Sequence, residues 1–190
     1  PPSNVEQGAF VIYSNQKIGV LIHYLRARKE KSTIIFSSRK AEVNGIQSAL
    51  RRHGFSSLAM SSDLEQSARE FALNEFRNQQ CKILVATDVM SRGIDIKGVD
   101  VVINFDVPGD AEDYVHRIGR TGRAEAKGEA VTFVVPEEQI KFKKIETLIQ
   151  SVVTKLPIDP QFGEAPVYDP KMQAKPKKSG KRFGKPRPKS

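Results

Sequence analysis

Thr33-Ile-Ile-Phe-Ser37 is a short, continuous apolar run between polar residues. A run of this kind is typical of a strand that is covered on both faces. Lys82-Ile-Leu-Val-Ala-Thr87 and Val101-Val-Ile-Asn-Phe105 have the same character. The runs at 8–13 and 128–135, and a weaker run at 57–60, also predict strands. Because these strands alternate with helical segments, we predict an α/β fold, a three-layer sandwich in which a mostly parallel sheet has helices on both faces.

The segments between the strands place apolar residues three and four positions apart, as expected of helices that lie on a core. We expect Phe71 to face inward in the third helix, and Leu148 and Val152 to do so in the last helix, which Pro136 opens. The candidate helix caps are Asn15, Asp63 and Asp110, and the candidate helix stop is Gly54.

Charge is distributed unevenly along the 190 residues. The net charge is +9, but residues 171–190 contain nine Lys or Arg and no Asp or Glu, so the remainder is neutral. The length allows one domain of ordinary size with a tail. Prolines interrupt the chain from Pro157 onward. We therefore expect a domain at 1–156, a partly ordered extension at 157–170 and a disordered basic tail at 171–190.

Cys81 is the only cysteine in the sequence. A single cysteine excludes an internal disulfide and a cysteine-rich metal centre, and we predict no metal site. No apolar run approaches the length of a membrane span, and the first residues lack the order of a signal peptide. We therefore expect a monomeric cytoplasmic protein that has no membrane partner.

Polar residues follow several of the predicted strands directly. Residues 37–40 follow the second run and residues 87–95 follow the fourth, while Gln66 and Arg69 lie at the start of the third helix. Because ligands bind outside the carboxyl ends of parallel strands, we expect these residues to share one edge of the sheet. Arginines, hydroxyls and aspartates suit phosphates and sugar hydroxyls. Asp88 has two interpretations, a cap on the turn after the strand or a functional carboxylate.

Tyr114-Val-His-Arg-Ile-Gly-Arg-Thr-Gly-Arg123 spaces three arginines three residues apart, with glycines between them. Guanidinium groups keep their charge and offer paired donors to phosphate, and glycine allows backbone amides to approach an oxyanion. A solvated basic loop is the alternative. We expect the stretch to lie on the same ligand edge of the sheet, beside Asp95 and Arg92.

Four of these stretches occur in the order seen in the second RecA-like domain of DEAD-box RNA helicases, which the chain resembles over roughly residues 5–155. They are Ile35-Phe-Ser-Ser-Arg39, Gln66-x-x-Arg69, Ala-Thr-Asp-Val-Met-Ser-Arg-Gly-Ile-Asp at 86–95 and His-Arg-Ile-Gly-Arg-Thr-Gly-Arg at 116–123. Their order and their positions at strand ends make the resemblance specific. One departure is Ser61, which stands where many relatives have a histidine.

The resemblance implies a RecA-like fold and a role for each matching residue. Arg120 and Arg123 correspond to arginine fingers that stabilise charge on the γ-phosphate, and Asp95, with Gly93, belongs to the nucleotide-binding groups. The residues that resemble interdomain coupling groups are Arg92, His116 and Arg117. The residues that resemble RNA-binding groups are Arg39, Gln66, Arg69, Thr87 and Gly93. Such groups contact the RNA backbone and do not read its sequence.

A helicase also needs motifs that this sequence lacks. It contains no G-x-x-x-x-G-K-[ST] stretch and no Asp-Glu-Ala-Asp. We therefore expect an absent N-terminal RecA-like domain to bind most of the ATP and its Mg²⁺, so that this chain supplies half of an ATP site and is inactive alone. RNA is the expected partner, with the basic tail contributing, although the tail could instead be only a flexible, solubilising end. A non-enzymatic RNA-binding module and a DNA-directed helicase of the same superfamily stay open as alternatives.

Overall fold

A computed structural model describes residues 3–88 and 96–173, and these residues contain seven strands. The strands are β1 (Val5–Val11), β2 (Thr33–Ser37), β3 (Leu58–Met60), β4 (Ile83–Thr87), β5 (Val101–Asn104), β6 (Gly128–Val134) and β7 (Thr154–Lys155). They form one sheet in the order β3-β4-β2-β5-β6-β1-β7, and every described pairing is parallel. The strands β2, β4 and β5 are buried at every position, which confirms the interpretation of their continuous apolar runs.

Helices cover both faces of this sheet. They are α1 (Lys17–Arg26), α2 (Lys40–Arg52), α3 (Gln66–Arg77), α4 (Ala111–Ile118), α5 (Gln139–Leu148) and the short α6 (Pro170–Gln173). One core cluster joins α1 and α2 to one face of the sheet, and a second joins α3, α4 and α5 to the other. The predicted three-layer α/β sandwich is therefore confirmed.

Three apolar side chains that were expected to face inward are exposed. Phe71 is 63% exposed, Leu148 is 70% exposed and Val152 is 80% exposed. The buried face of α3 is narrower than predicted, because Ala72 and Phe76 fill it and Phe71 lies one residue, or about 100°, away. Leu148 is displaced in the same way from the buried face of α5, and Val152 follows the end of that helix.

The predicted helix ends are partly correct. Asp110 caps α4, because its Oδ1 accepts a hydrogen bond of 2.8 Å from the backbone N–H of Asp113, and Gly54 follows the end of α2 with φ +83°. The predicted caps Asn15 and Asp63 are wrong. Asn15 lies within a short 3₁₀ turn before α1, and α3 begins only at Gln66, so that Asp63 instead forms an ion pair with Lys40.

The segment after β7 packs across the edge of the sheet. Phe162 joins the core beneath α1, and its carbonyl accepts a hydrogen bond of 2.8 Å from the side chain of Gln16. Tyr168 lies against α5, where its hydroxyl donates to Glu146 at 2.9 Å. The helix α6 crosses the predicted boundary at residue 171, and most of the predicted tail, 174–190, lies outside the described residues. No helix in the described parts of the chain is long and apolar enough to cross a membrane.

Candidate functional site

Arg117, near the end of α4, is the centre of a buried polar cluster. Its side chain is only 1% exposed, and it forms a two-point ion pair with Asp88, with distances of 2.5 Å from Nε to Oδ1 and 2.5 Å from Nη2 to Oδ2. The guanidinium also donates to the side chains of Asn104 (3.2 Å) and Ser38 (3.2 Å) and to the carbonyl of Asp106 (3.3 Å). Such a complete set of partners is what an arginine requires when it is removed from water.

The carboxylate of Asp106 connects this cluster to the loop that follows β2. Its Oδ2 accepts a hydrogen bond of 2.8 Å from the backbone N–H of Ser38, and its Oδ1 accepts one of 2.7 Å from the hydroxyl of Ser38. Arg39, the next residue, is exposed. The loop that carries Arg39 is therefore fixed to the carboxyl end of β5, while the side chain of Arg39 itself faces solvent.

Four of the predicted RNA-binding residues lie on one edge of the sheet, which we call the carboxyl edge. It is formed by the carboxyl ends of the neighbouring strands β3, β4 and β2. Thr87 ends β4, Arg39 follows β2, and α3, which begins with Gln66 and contains Arg69, follows β3. The predicted grouping of these four residues is therefore found in the fold, and the buried cluster of Arg117 lies beside them.

The four side chains differ in exposure. Gln66 is exposed, and its amide donates to Glu70 at 3.2 Å. Thr87 is only 7% exposed, so little of its hydroxyl reaches the surface. The Nε of Arg69 is buried and makes no hydrogen bond with the described residues. An unsatisfied buried donor of this kind is rare in folded proteins.

Arg120 and Arg123 lie on the opposite edge, so the expectation of a single ligand edge was wrong. Thr121, between them, forms a parallel bridge with Val99, and Arg123 donates to the carbonyl of Gly98 from Nε (2.9 Å) and Nη2 (2.7 Å). Val99 and Gly98 precede β5, so this is the amino edge of the sheet. About 16 Å of extended chain separates Val99 from Asn104, at the carboxyl end of β5. The reason is that α4 starts after β5 and runs back across the sheet before it delivers the arginine loop, residues 119–123.

The arginine loop borders a cavity of about 380 Å³ at the amino edge. Its basic lining consists of Arg77, Lys97 and Arg123, with Gly98 between them. The side chain of Thr121 closes the loop onto the sheet, because its buried hydroxyl lies 2.5 Å from the carbonyl oxygen of Val99 and 3.0 Å from that of Asp100. Three cations around an open cavity can bind an anionic group such as a phosphate.

The other predicted site residues fall into two groups. His116 is exposed on α4, whereas its neighbour Arg117 is buried, so of these two only His116 presents its side chain to solvent. Arg92, Gly93 and Asp95 lie outside the described residues. The sequence did not identify Asp88 as the partner of Arg117, nor Ser38 and Asp106 as members of the cluster. A signal existed, because all three follow the carboxyl ends of adjacent strands, but the sequence does not give the order of those strands.

A second cavity, of about 320 Å³, opens between α1 and α5 next to Arg39. Lys17 is buried beneath it and donates to the carbonyl of Phe105 at 2.7 Å. Burial raises the pKa of Glu138, which accepts a hydrogen bond of 2.9 Å from the backbone N–H of Val107 and lies near the charges of Lys17 and Asp106. This lining contains both signs of charge, so it favours a polar group more than a bare anion.

The features of a RecA-like α/β domain are therefore present: a parallel sheet, helices on both of its faces, and cationic side chains that can bind phosphate. Comparison with known proteins agrees. The family described as the helicase conserved C-terminal domain matches residues 16–125. The ATP-dependent RNA helicase DBP2 of Saccharomyces cerevisiae is 41% identical over 157 residues, which cover 81% of this chain and 29% of that protein.

Solved structures give the same result. A DEAD box protein from the hyperthermophile Methanococcus jannaschii is 38% identical, with a TM-score of 0.77 over 82% of this chain and 42% of that one. Saccharomyces cerevisiae Dbp5 bound to RNA and ADP BeF3 is 30% identical, with a TM-score of 0.75 over the same shares. The chain therefore belongs to the helicase conserved C-terminal domain family and is of the DEAD-box type, which confirms the resemblance and the RecA-like fold. It spans between 24% and 33% of the length of eight curated relatives that it matches.

Proposed function

We propose that this chain is the C-terminal motor domain of an ATP-dependent RNA helicase and acts only together with an N-terminal RecA-like domain. The observation that carries the proposal is the position of α4. Its buried Arg117 is ion-paired to Asp88 beside the carboxyl edge, and the loop that follows it carries Arg120 and Arg123 at the amino edge. One short helix thus connects a surface suited to RNA with a surface suited to nucleotide.

At the amino edge, Arg120 and Arg123 bind the γ-phosphate of ATP and stabilise the charge that develops during phosphoryl transfer. The cavity beside Arg123 has the basic lining that this role requires. Magnesium and most of the ATP belong to the N-terminal domain. Asp95 and Gly93, in the sequence between β4 and β5, complete the half-site by binding the ribose.

At the carboxyl edge, Arg39, Gln66, Arg69 and Thr87 bind the sugar–phosphate backbone of one RNA strand. The exposed side chains of Arg39 and Gln66 support this assignment, because guanidinium and amide groups donate hydrogen bonds to phosphate oxygens. Dbp5, a relative at 30% identity, was solved with RNA and ADP BeF3, which also supports RNA as the ligand.

Coupling between the two surfaces passes through α4. Because Arg117 is buried, it does not contact the facing domain directly but fixes α4 to the ends of β2, β4 and β5. His116, which is exposed on the same helix, contacts the N-terminal domain, and Arg92 connects the two ligands. When the domains close around ATP, both bind one RNA strand and bend it. A bent strand cannot stay paired with its complement, so a short duplex opens locally.

The decisive experiment uses the complete two-domain protein. We expect Arg123→Ala to lower RNA-stimulated ATP hydrolysis by about 10³-fold or more while RNA binding is kept, because a finger acts on the transition state. Arg52→Ala, an exposed arginine on α2, is the matched control and leaves both activities unchanged. Full hydrolysis by the Arg123→Ala protein, or turnover by residues 1–190 alone, would exclude the half-site. RNA binding by the complete parent protein without any RNA-stimulated hydrolysis would instead favour a non-enzymatic RNA-binding module.

The choice between RNA and DNA rests on the relatives. Matched RNA and DNA duplexes, offered to the complete protein with ATP, provide the test. Unwinding of the RNA duplex alone supports the proposal, and preference for the DNA duplex would support the DNA-directed alternative.

A further inference from the structure

Two polar side chains near the start of the chain contact the two ends of the segment that carries the arginines. Gln7, in β1, accepts a hydrogen bond of 2.6 Å from the hydroxyl of Tyr114, in the first half of α4. Asn4, immediately before β1, donates from Nδ2 to the carbonyl of Arg123 at 2.6 Å. The first pair is 107 residues apart in sequence and the second is 119 apart. The strand β1 and the residue before it therefore contact both the first half of α4 and the end of the arginine loop.

Asn4 packs closely against the loop as well as bonding to it. Gly122 has φ +83°, and a Cβ atom at this position would lie 3.0 Å from both Nδ2 and Oδ1 of Asn4. The backbone carbonyl of Asn4 also accepts a hydrogen bond of 3.0 Å from the N–H of Gly128, at the start of β6. The side chain and the backbone of Asn4 thus bind both the loop and the strand that follows it.

The side chain of Arg123 extends from this fixed point. Its guanidinium reaches the carbonyl of Gly98 through two hydrogen bonds and lines the basic cavity of the amino edge. The position of the guanidinium depends on where the backbone of Arg123 lies, and among the described side chains Asn4 is the one that donates to the carbonyl of that residue.

We propose that Asn4 is a positioning residue for the arginine finger Arg123, with Gln7 setting the start of the same segment through Tyr114. This inference rests on the proposed function. The Asn4 hydrogen bond lies at the surface, where such a bond contributes little to stability. Misplacement of a catalytic group by about 1 Å can nevertheless cost 10²-fold in rate. Loss of Asn4 should therefore change catalysis far more than it changes folding.

The test uses the complete two-domain protein with Asn4→Ala and Asn4→Asp. Aspartate keeps the shape of asparagine but cannot donate to the carbonyl of Arg123. We expect both variants to lower kcat about 10- to 100-fold, with the KM for ATP and the affinity for RNA within about twofold of the parent. Asn44→Asp, an exposed asparagine on α2, is the matched control and should leave kcat unchanged.

Hydrogen exchange on the same variants separates positioning from general stability. We expect faster exchange at the amides of residues 119–126, with the exchange of β2 and β4 and the Tm unchanged. An unchanged kcat in Asn4→Asp, or a loss of kcat accompanied by faster exchange throughout the domain, would overturn the inference. If Arg123→Ala had no effect on hydrolysis, the proposed function itself would be wrong. If Arg123→Ala lowered hydrolysis but the Asn4 variants did not, the proposed function would stand and only this inference would be wrong.

Discussion

Arg117 and Asp88 form an ion pair with two short contacts that joins the last turn of α4 to the residue after β4. Arg117 is 1% exposed and Asp88 is 22% exposed, so the pair is largely protected from water. A buried arginine that loses a carboxylate partner loses compensation that water cannot replace, although Asp106, whose Oδ1 lies 3.6 Å from Nη2 of Arg117, remains beside it. A surface pair can be broken at little cost. This difference gives a direct test of how α4 is fixed to the sheet.

We expect Asp88→Asn to lower the free energy of unfolding by about 3 kcal/mol, measured by urea denaturation. The control is Asp63→Asn, which breaks the ion pair with Lys40, a pair whose side chains are 64% and 51% exposed. Its cost should be below about 1 kcal/mol. Equal, small losses in the two variants would mean that Arg117 does not depend on Asp88.

Gly128 is tightly enclosed by the arginine loop. A Cβ atom there would lie 2.2 Å from Oγ1 of Thr121 and 2.4 Å from the backbone N of Gly122. We expect Gly128→Ala to lower the free energy of unfolding by about 1–3 kcal/mol, because the loop or β6 must shift. Gly45, in the middle of α2, has no neighbour within 4 Å of the same position, and Gly45→Ala should raise stability by about 0.5–1 kcal/mol. Thermal denaturation of both variants checks these opposite signs, and a stabilised Gly128→Ala protein would contradict the packing of the loop.

Glu129 gives the domain a defined dependence on pH. Burial disfavours its charge, but hydrogen bonds from Lys31, Arg28 and Tyr24 outweigh this and lower the pKa of Glu129 from 4.5 to about 2. Because the folded pKa lies below the unfolded value, the stabilisation is complete above pH 4.5 and is lost as the pH falls from about 4.5 to about 2.

We expect this carboxylate to contribute on the order of 2 kcal/mol, after allowance for its partial exposure to solvent. Urea denaturation of the parent and of Glu129→Gln at several pH values measures the contribution. The two curves should differ at pH 6 and converge near pH 2. A constant difference across this range would show that the ion pairs are not its cause.

The basic tail gives a prediction about salt. Residues 171–190 carry nine Lys or Arg, most of them beyond the described residues. Since each phosphate that a cation neutralises adds about 0.7 to the slope of log affinity against log salt, deletion of the tail should weaken RNA binding and reduce the slope by several units. A tail of equal length with glutamine at the nine basic positions controls for size. Fluorescence anisotropy with a single-stranded RNA provides the measurement, and unchanged binding at low salt would leave the tail as a flexible end.

The sequence alone determined the layers of the fold and indicated the family. Continuous apolar runs identified β2, β4 and β5, because strands buried on both faces carry apolar side chains at nearly every position. Asp110 identified the start of α4, because a capping side chain acts on amides only a few residues away. The short motifs, read together, indicated the family. All of these signals are local, and the sequence records them directly.

Tertiary structure decided which of these residues meet. The partner of Arg117 is 29 residues away and the Asn4 contact joins residues 119 apart, and no local pattern encodes either distance. The strand order placed Arg39, Gln66, Arg69 and Thr87 on one edge, whereas the return path of α4 carried Arg120 and Arg123 to the other. Periodicity reports which side of an element faces the core. The pairing of the strands and the direction of each crossover determine which other elements lie beside that element. Both depend on the packing of the whole chain.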